Sequence, residues 1–202
     1  MFYEPRLDNH GLPHRPLKAI VTPRPIGWIS TLAPDGTANL APYSFFNLLS
    51  EEPDIVGFSS SGAKHSMRNA EASGEFVCNL ATLPLLEQVN LTSKPIPASA
   101  SEFDLAGLEQ APSRLVKAPR VAAAPCALEC RYIETIRLKG ADGREAGTFL
   151  VLGEVIGVHI DERFIEDGLL KAERMQPIAR GGYFDYSWVD RVKSLPRPAG
   201  GE

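Results

Sequence analysis

Only three of the 202 residues are cysteine, Cys78, Cys126 and Cys130. That number is small and odd, so a disulfide scaffold is excluded as the organising principle. No apolar run approaches the length of a membrane span, and the N-terminus lacks a charged region followed by an apolar stretch. A transmembrane helix and a secretory leader are therefore not expected, and the default is a soluble cytoplasmic protein. Basic residues are not in excess: 21 Lys and Arg stand against 25 Asp and Glu, for a formal net charge of -4. That balance argues against a general nucleic-acid binder while leaving room for one local phosphate pocket. HExxH, CxxC, GxSxG and GxGxxG are all missing, as is any carboxylate pair with persuasive spacing. If a nicotinamide dinucleotide binds, it does so without a Rossmann domain. His10 and His14 are separated by Gly11 and Pro13, so no helix presents them as metal ligands, and no metal is expected.

What the chain does have is strand signal. Hydrophobic residues make up 44% of it, enough for one sizeable core. One domain over 1–202 is expected, with about 1–15 and 195–202 as extended or frayed tails. Residues 26–32 are β-branched and aromatic, Pro34-Asp35-Gly36 reads as a turn, and 37–42 completes a hairpin. Residues 54–60 and 75–81 are further apolar strands. Between them, 66–73 reads as a two-turn helix with Ser66 as N-cap and Gly74 as a left-handed stop. Residues 83–93 form an amphipathic pattern, and 94–125, with five prolines, is loop-like. Two long strands, 127–138 and 147–160, flank the turn Ala141-Asp142-Gly143. Cys126 and Cys130 fall on one face of that strand and read as small buried residues. Short strands joined by Asp-Gly turns, with few helices, predict a mainly β antiparallel barrel.

The chemistry concentrates between Pro42 and Asn69. Pro42-Tyr43-Ser44-Phe45-Phe46-Asn47 offers flat rings beside hydroxyl and amide groups. After an apolar strand, residues 59–69 form a polar turn feeding a short helix. A helix N-terminus leaves N–H groups unpaired and carries partial positive charge, which suits phosphate. Lys64 and Arg68 add charge; Ser60, Ser61 and Ser66 add hydroxyls; Gly62 lets the backbone approach a ligand. A P-loop fails here, because Ala63 stands where its lysine belongs. An ordinary capped helix competes equally on these residues alone. Together the two pieces suit a ligand with a planar heterocycle at one end and a phosphate at the other, as in flavin mononucleotide (FMN).

The segments Arg24-Pro-Ile-Gly-Trp-Ile-Ser-Thr31 and Asn39-Leu-Ala-Pro-Tyr-Ser-Phe-Phe-Asn47 resemble the flavin reductase-like family with the FMN-binding split-barrel fold, its flavoredoxin-type branch in particular. Lys64-His65-Ser66 to Asn69 and Gly74 to Asn79 extend the similarity, which covers roughly 10–190. The resemblance implies a six-stranded antiparallel Greek-key split barrel with a few short helices, homodimeric, holding FMN near the subunit interface. It implies Trp28, Ser30 and Thr31 beside the flavin, and Tyr43, Ser44, Phe45 and Asn47 at the ring and its polar edge. Ser60, Lys64, His65, Ser66 and Asn69 would hold the phosphate and ribityl chain. His159 and the turn from Arg180 to Tyr183 would lie near the open face of the flavin. There the chain reads Ala-Arg-Gly-Gly-Tyr, without the residue many relatives place between arginine and the glycines. The function implied is hydride acceptance from NADH or NADPH, with His159 positioning or supplying a proton. An electron carrier reduced by a redox partner protein is the alternative, and a barrel that has lost its flavin a third.

Overall fold

The computed structural model of the protein describes residues 1–198; the last four positions of the tail expected to fray lie outside the described residues. Seven strands form one antiparallel sheet: β1 Gly27–Leu32, β2 Ala38–Tyr43, β3 Phe46–Glu51, β4 Asp54–Ser61, β5 Glu75–Leu80, β6 Cys126–Lys139 and β7 Glu145–Ile160. Their order is β2-β1-β5-β6-β7-β4-β3. Both expected hairpins are present. Gly27 to Leu32 pairs with Tyr43 to Ala38, and the turn is closed by the Thr37 N–H donating to Asp35 Oδ1 at 2.9 Å. Gly36 (φ 89°) and Gly143 (φ 80°) take the left-handed conformations that these turns require.

The expected count of six strands becomes seven in this sheet. The additional strand is β3, within and beyond the aromatic segment read as a ligand-facing stretch. Its apolar residues do not alternate inward: Leu48 and Leu49 are about half exposed, at 50% and 53%. Pairing with β4, rather than burial, makes it a strand, and a period-2 pattern is therefore missing.

Of the five α-helices among the described residues, three pack around the sheet: α1 His65–Ser73, α2 Leu86–Leu91 and α3 Glu102–Ala106. Helix α1 ends as expected at Gly74, φ 74°. Its N-cap is Lys64, not Ser66, and no side chain closes the cap. The stretch 94–125 is more than a loop. It contains α3, which is capped by Ser101 accepting from the Phe103 N–H, and a two-residue ladder joining Gln110–Ala111 to Arg120–Val121. Ser101 Oγ donates to Ala38 O at 2.6 Å, and the Leu40 N–H donates to Glu102 Oε2 at 2.9 Å. Polar side chains of the excursion thus cover the free edge of β2, which would otherwise be open to another strand.

The core has two principal parts. Ile29, Tyr43, Val56, Phe58, Phe76, Cys130 and Val151 pack on one side, with the Phe58 and Phe76 rings edge to face at 5.5 Å. Ile26, Trp28, Leu40, Val89, Phe103 and Val121 pack on the other, under α2, α3 and the excursion. Strand β1 is therefore buried on both faces, Trp28 into one cluster and Ile29 into the other. Cys130 is fully buried, while Cys126 is half-buried with its Sγ against Met175 Sδ at 3.7 Å. Gly153 sits where a Cβ would come within 2.4 Å of the Phe76 ring and 3.2 Å of Cys130 Cβ. Gly153→Ala is expected to overpack this site and cost about 1–3 kcal/mol, measured as a lowered urea midpoint; an unchanged midpoint would show that Phe76 yields freely. Among the described residues no helix is long and apolar enough to cross a membrane.

Candidate flavin site

A cleft of about 570 Å³ opens where the end of β2, the end of β4, the start of α1 and the segment after α2 converge. That volume falls in the range of cofactor sites. Tyr43, Ser44 and Phe45 form one wall, and Lys64, His65, Ser66 and Arg68 another. The fold brings these two pieces together because β4 ends at Ser61. The turn at Gly62 (φ 80°), shaped by Ser60 Oγ donating to Gly62 O at 2.7 Å, then aims the N-terminus of α1 into the cleft. Lys18, Lys64, Arg68 and Lys94 line the cleft with a single carboxylate, Glu102. In a chain of net charge -4, that local excess of positive charge focuses an anion there.

Two buried polar atoms of the cleft have no partner among the described residues: Ser66 Oγ and Asn39 Nδ2. Their residues are 1% and 6% exposed, so an unmet hydrogen bond at either is costly unless a ligand or water completes it. Burial pushes the Tyr43 phenol up, while the nearby Ser66 and Ser60 hydroxyls pull it down. Burial also raises the Glu102 carboxyl, opposed by the Leu40 N–H, its own N–H and the charge of His65. The donor set suits a ring-and-phosphate ligand: aromatic wall, helix N–H groups, two cations at the helix start, and unmet amide and hydroxyl groups.

Of the residues the sequence nominated, Tyr43, Ser44, Phe45, Ser61, Lys64, His65, Ser66 and Arg68 line the cleft. The others stand elsewhere. Trp28 is fully buried, its Nε1–H donating to Thr92 Oγ1 at 2.9 Å, so it supports a cleft residue from behind. Asn69 Nδ2 donates to Thr31 Oγ1 at 3.2 Å, tying α1 to β1 beneath the site. Ser30 Oγ donates to Pro119 O at 2.5 Å and accepts from Asn79 Nδ2 at 3.1 Å, on the excursion side of the sheet. Ser60 braces the turn. Asn47 lies exposed on β3. Arg180 donates to Tyr183 O at 2.9 Å and stacks on the Tyr186 ring at 4.5 Å. The reason β1 contributes no wall is its burial on both faces.

His159 also lies outside the cleft wall, hydrogen-bonded to the buried Glu129. Glu129 accepts in addition from the N–H groups of Arg114 (2.8 Å), Leu115 (2.6 Å) and Val116 (3.0 Å). Burial alone would raise its carboxyl, yet these four donors hold it at about 2. Lys18, Asn39, Thr92, Lys94 and Glu102 were not nominated. The polar run Thr92-Ser93-Lys94 directly after an amphipathic helix was the available signal for two of them. Nothing local marks Lys18 or Glu102, which reach the cleft only through tertiary packing.

The family described as flavin reductase like domain matches residues 20–179. A protein of Halalkalibacterium halodurans, itself uncharacterised, is 34% identical over 190 residues, covering 92% of this chain and 90% of its own. The structure of nitrilotriacetate monooxygenase component B from Bacillus cereus superimposes with a TM-score of 0.87 at 28% identity, covering 96% of this chain and 98% of its own. A Shewanella frigidimarina protein with a split barrel domain shares the fold, with a TM-score of 0.83 at 23% identity over 98% of this chain and all of its own. The seven-stranded sheet is thus a split-barrel sheet, and the chain belongs to the flavin reductase-like domain family.

Proposed function

We propose that the protein binds FMN in this cleft and works as an oxidoreductase, taking hydride from NADH or NADPH and passing the electrons on. The observation that carries the reading is the meeting, in one cleft, of an aromatic wall, a cationic helix N-terminus and two buried, unpartnered polar atoms. When bound, FMN supplies a ring that accepts hydride and releases electrons singly or in pairs. The chain's own residues bind and orient. Lys64, Arg68 and the free N–H groups of α1 receive the phosphate; Ser66 and Asn39 take polar atoms of the cofactor; Tyr43 and Phe45 flank its ring. No side chain is needed as a covalent nucleophile. His159 acts by position, through Glu129, on the segment 114–116. The name of the Bacillus cereus protein, one component of a monooxygenase, supports a role in which electrons leave for another acceptor.

A homodimer belongs to the same proposal. Phe45, Leu48 and Leu49, each about half exposed, offer an apolar strip next to the cleft, and 94–125 offers a second contact surface. Sedimentation at micromolar concentration should give a dimer, and a species at the 22.0 kDa of one chain would refute it.

The direct test mixes FMN-saturated protein anaerobically with NADH, then with NADPH, following the flavin band at about 450 nm. Bleaching with one nucleotide is the expected result. Tight binding without bleaching would replace the reductase by an electron carrier served by a partner protein. Absence of the band after soaking in FMN would refute the flavin site itself.

A further inference from the structure

Arg24 opens the segment Arg24–Thr31 but has no place in the site described so far. Its residue is 8% exposed, and no carboxylate stands within salt-bridge distance of it among the described residues. Burial, with Arg180 opposite it in the short ladder Arg24↔Arg180, holds its pKa below the usual arginine range. A buried cation without a counter-charge is costly unless dipoles surround it. Here they are carbonyls from two separate segments. Nη1 donates to Lys18 O, within the helical turn Leu17–Ile20, and to Val21 O, its C-cap, and Nη2 donates to Gly181 O at 2.6 Å. The guanidinium also lies 5.8 Å from the centroid of the Phe45 ring, which Lys18 Nζ approaches to 6.0 Å.

Those contacts converge on one place. Lys18 lines the flavin cleft and also a neighbouring groove of about 470 Å³, whose other wall is Tyr183 and Phe184. The two segments that Arg24 joins touch directly, since a Cβ on Gly182 would fall 2.5 Å from Ala19 Cβ. We infer that Arg24 is a positioning residue, which locks the turn at 17–21 to the turn at 181–185 and thereby fixes Lys18 at the junction of the cleft and the groove. Lys18 is then the specificity-determining cation for the anionic co-substrate that enters beside the flavin. The inference rests on the proposed function for the identity of that co-substrate, but not for the lock itself.

The test uses the full-length, FMN-loaded protein with Arg24→Gln, Arg24→Lys, Lys18→Gln and the double variant R24Q/K18Q. Hydrogen exchange reads the lock through the amides of Val21 (to Leu17 O), Gly181 (to Asp185 O) and Asp185 (to Gly182 O). In both Arg24 variants, protection should fall by about tenfold or more in the two turns together while β1, β5 and β6 keep theirs. Lysine keeps the charge but cannot span the three carbonyls, so it should not rescue. Kinetically, R24Q and K18Q should each raise KM for the preferred nucleotide by about tenfold with kcat within about twofold, and the double variant should go no further than either. Unchanged protection in either turn, loss spread evenly through the barrel in both variants, or additive effects on KM would each overturn the inference. If the unaltered protein oxidises neither nucleotide, the proposed function fails while the exchange experiment still decides the lock.

Discussion

Replacing Lys64 and Arg68 together by alanine is expected to weaken FMN binding by about 100-fold, as two charge-assisted contacts worth about 1.5 kcal/mol each are lost. Lys64 is the extended N-cap of α1 and Arg68 lies in its first turn, and both line the cleft at the helix start. Both are exposed, which keeps the figure at the lower end for such contacts and makes it depend on salt. The control is riboflavin, which has the ring and ribityl chain but no phosphate. Its affinity should change by no more than about twofold, because Tyr43, Phe45, Ser66 and Asn39 are untouched. Fluorescence-quench titrations of both ligands read the two numbers. Equal losses for FMN and riboflavin would mean that the cations act on the cleft's shape rather than on phosphate. No loss for FMN would place the phosphate elsewhere.

Glu129→Ala should be the most destabilising single change, by about 3 kcal/mol, which corresponds to a fall in Tm of about 6–12 °C for a chain of this size. It strands three backbone N–H groups and the His159 ring around a buried gap. Glu129→Gln separates charge from shape, since it keeps an acceptor while removing the carboxylate. The pH dependence has a definite sign. The folded pKa of about 2 lies below the ordinary value of 4.5, so the unfolded chain takes up the proton first as pH falls. The stabilisation is fully present above about pH 4.5 and is lost progressively as pH falls through about 2, amounting to about 2 kcal/mol after allowance for screening. Urea midpoints between pH 6 and pH 3 should decline less steeply in Glu129→Gln than in the unaltered protein. Parallel curves would show that other carboxylates govern acid unfolding.

Much of this architecture is legible in the chain. The hairpin turns Pro34-Asp35-Gly36 and Ala141-Asp142-Gly143 state their geometry locally, because positive φ at Gly36 and Gly143 needs no distant partner. The stop at Gly74 is of the same kind. The pairing of an aromatic segment with a cationic helix start was likewise readable, because both lie within 28 residues of chain. Less legible was β3, whose exposed leucines break the alternation that marks a strand. The helix at 102–106 was hidden because it is only five residues long. It is held by Phe103 in the core and by Glu102 on a strand edge, contacts that no local window contains.

The division between the two levels follows from the range of the forces involved. Turn chemistry, strand alternation and the charge and hydroxyls at the start of α1 are properties of neighbours along the chain, and the sequence by itself determined them. Which face of β1 meets what, that Trp28 backs Thr92 instead of lining the cleft, and that His159 meets Glu129 were decided only by tertiary structure. So was the arrival of Lys18 and Glu102 at the cleft. A strand presents two faces of equal claim, and burial on both depends on an excursion some 90 residues away closing over it, as the Ser30 to Pro119 hydrogen bond records. The hydrophobic effect that drives such closure is non-directional; the partner each side chain acquires is set by the whole packed chain.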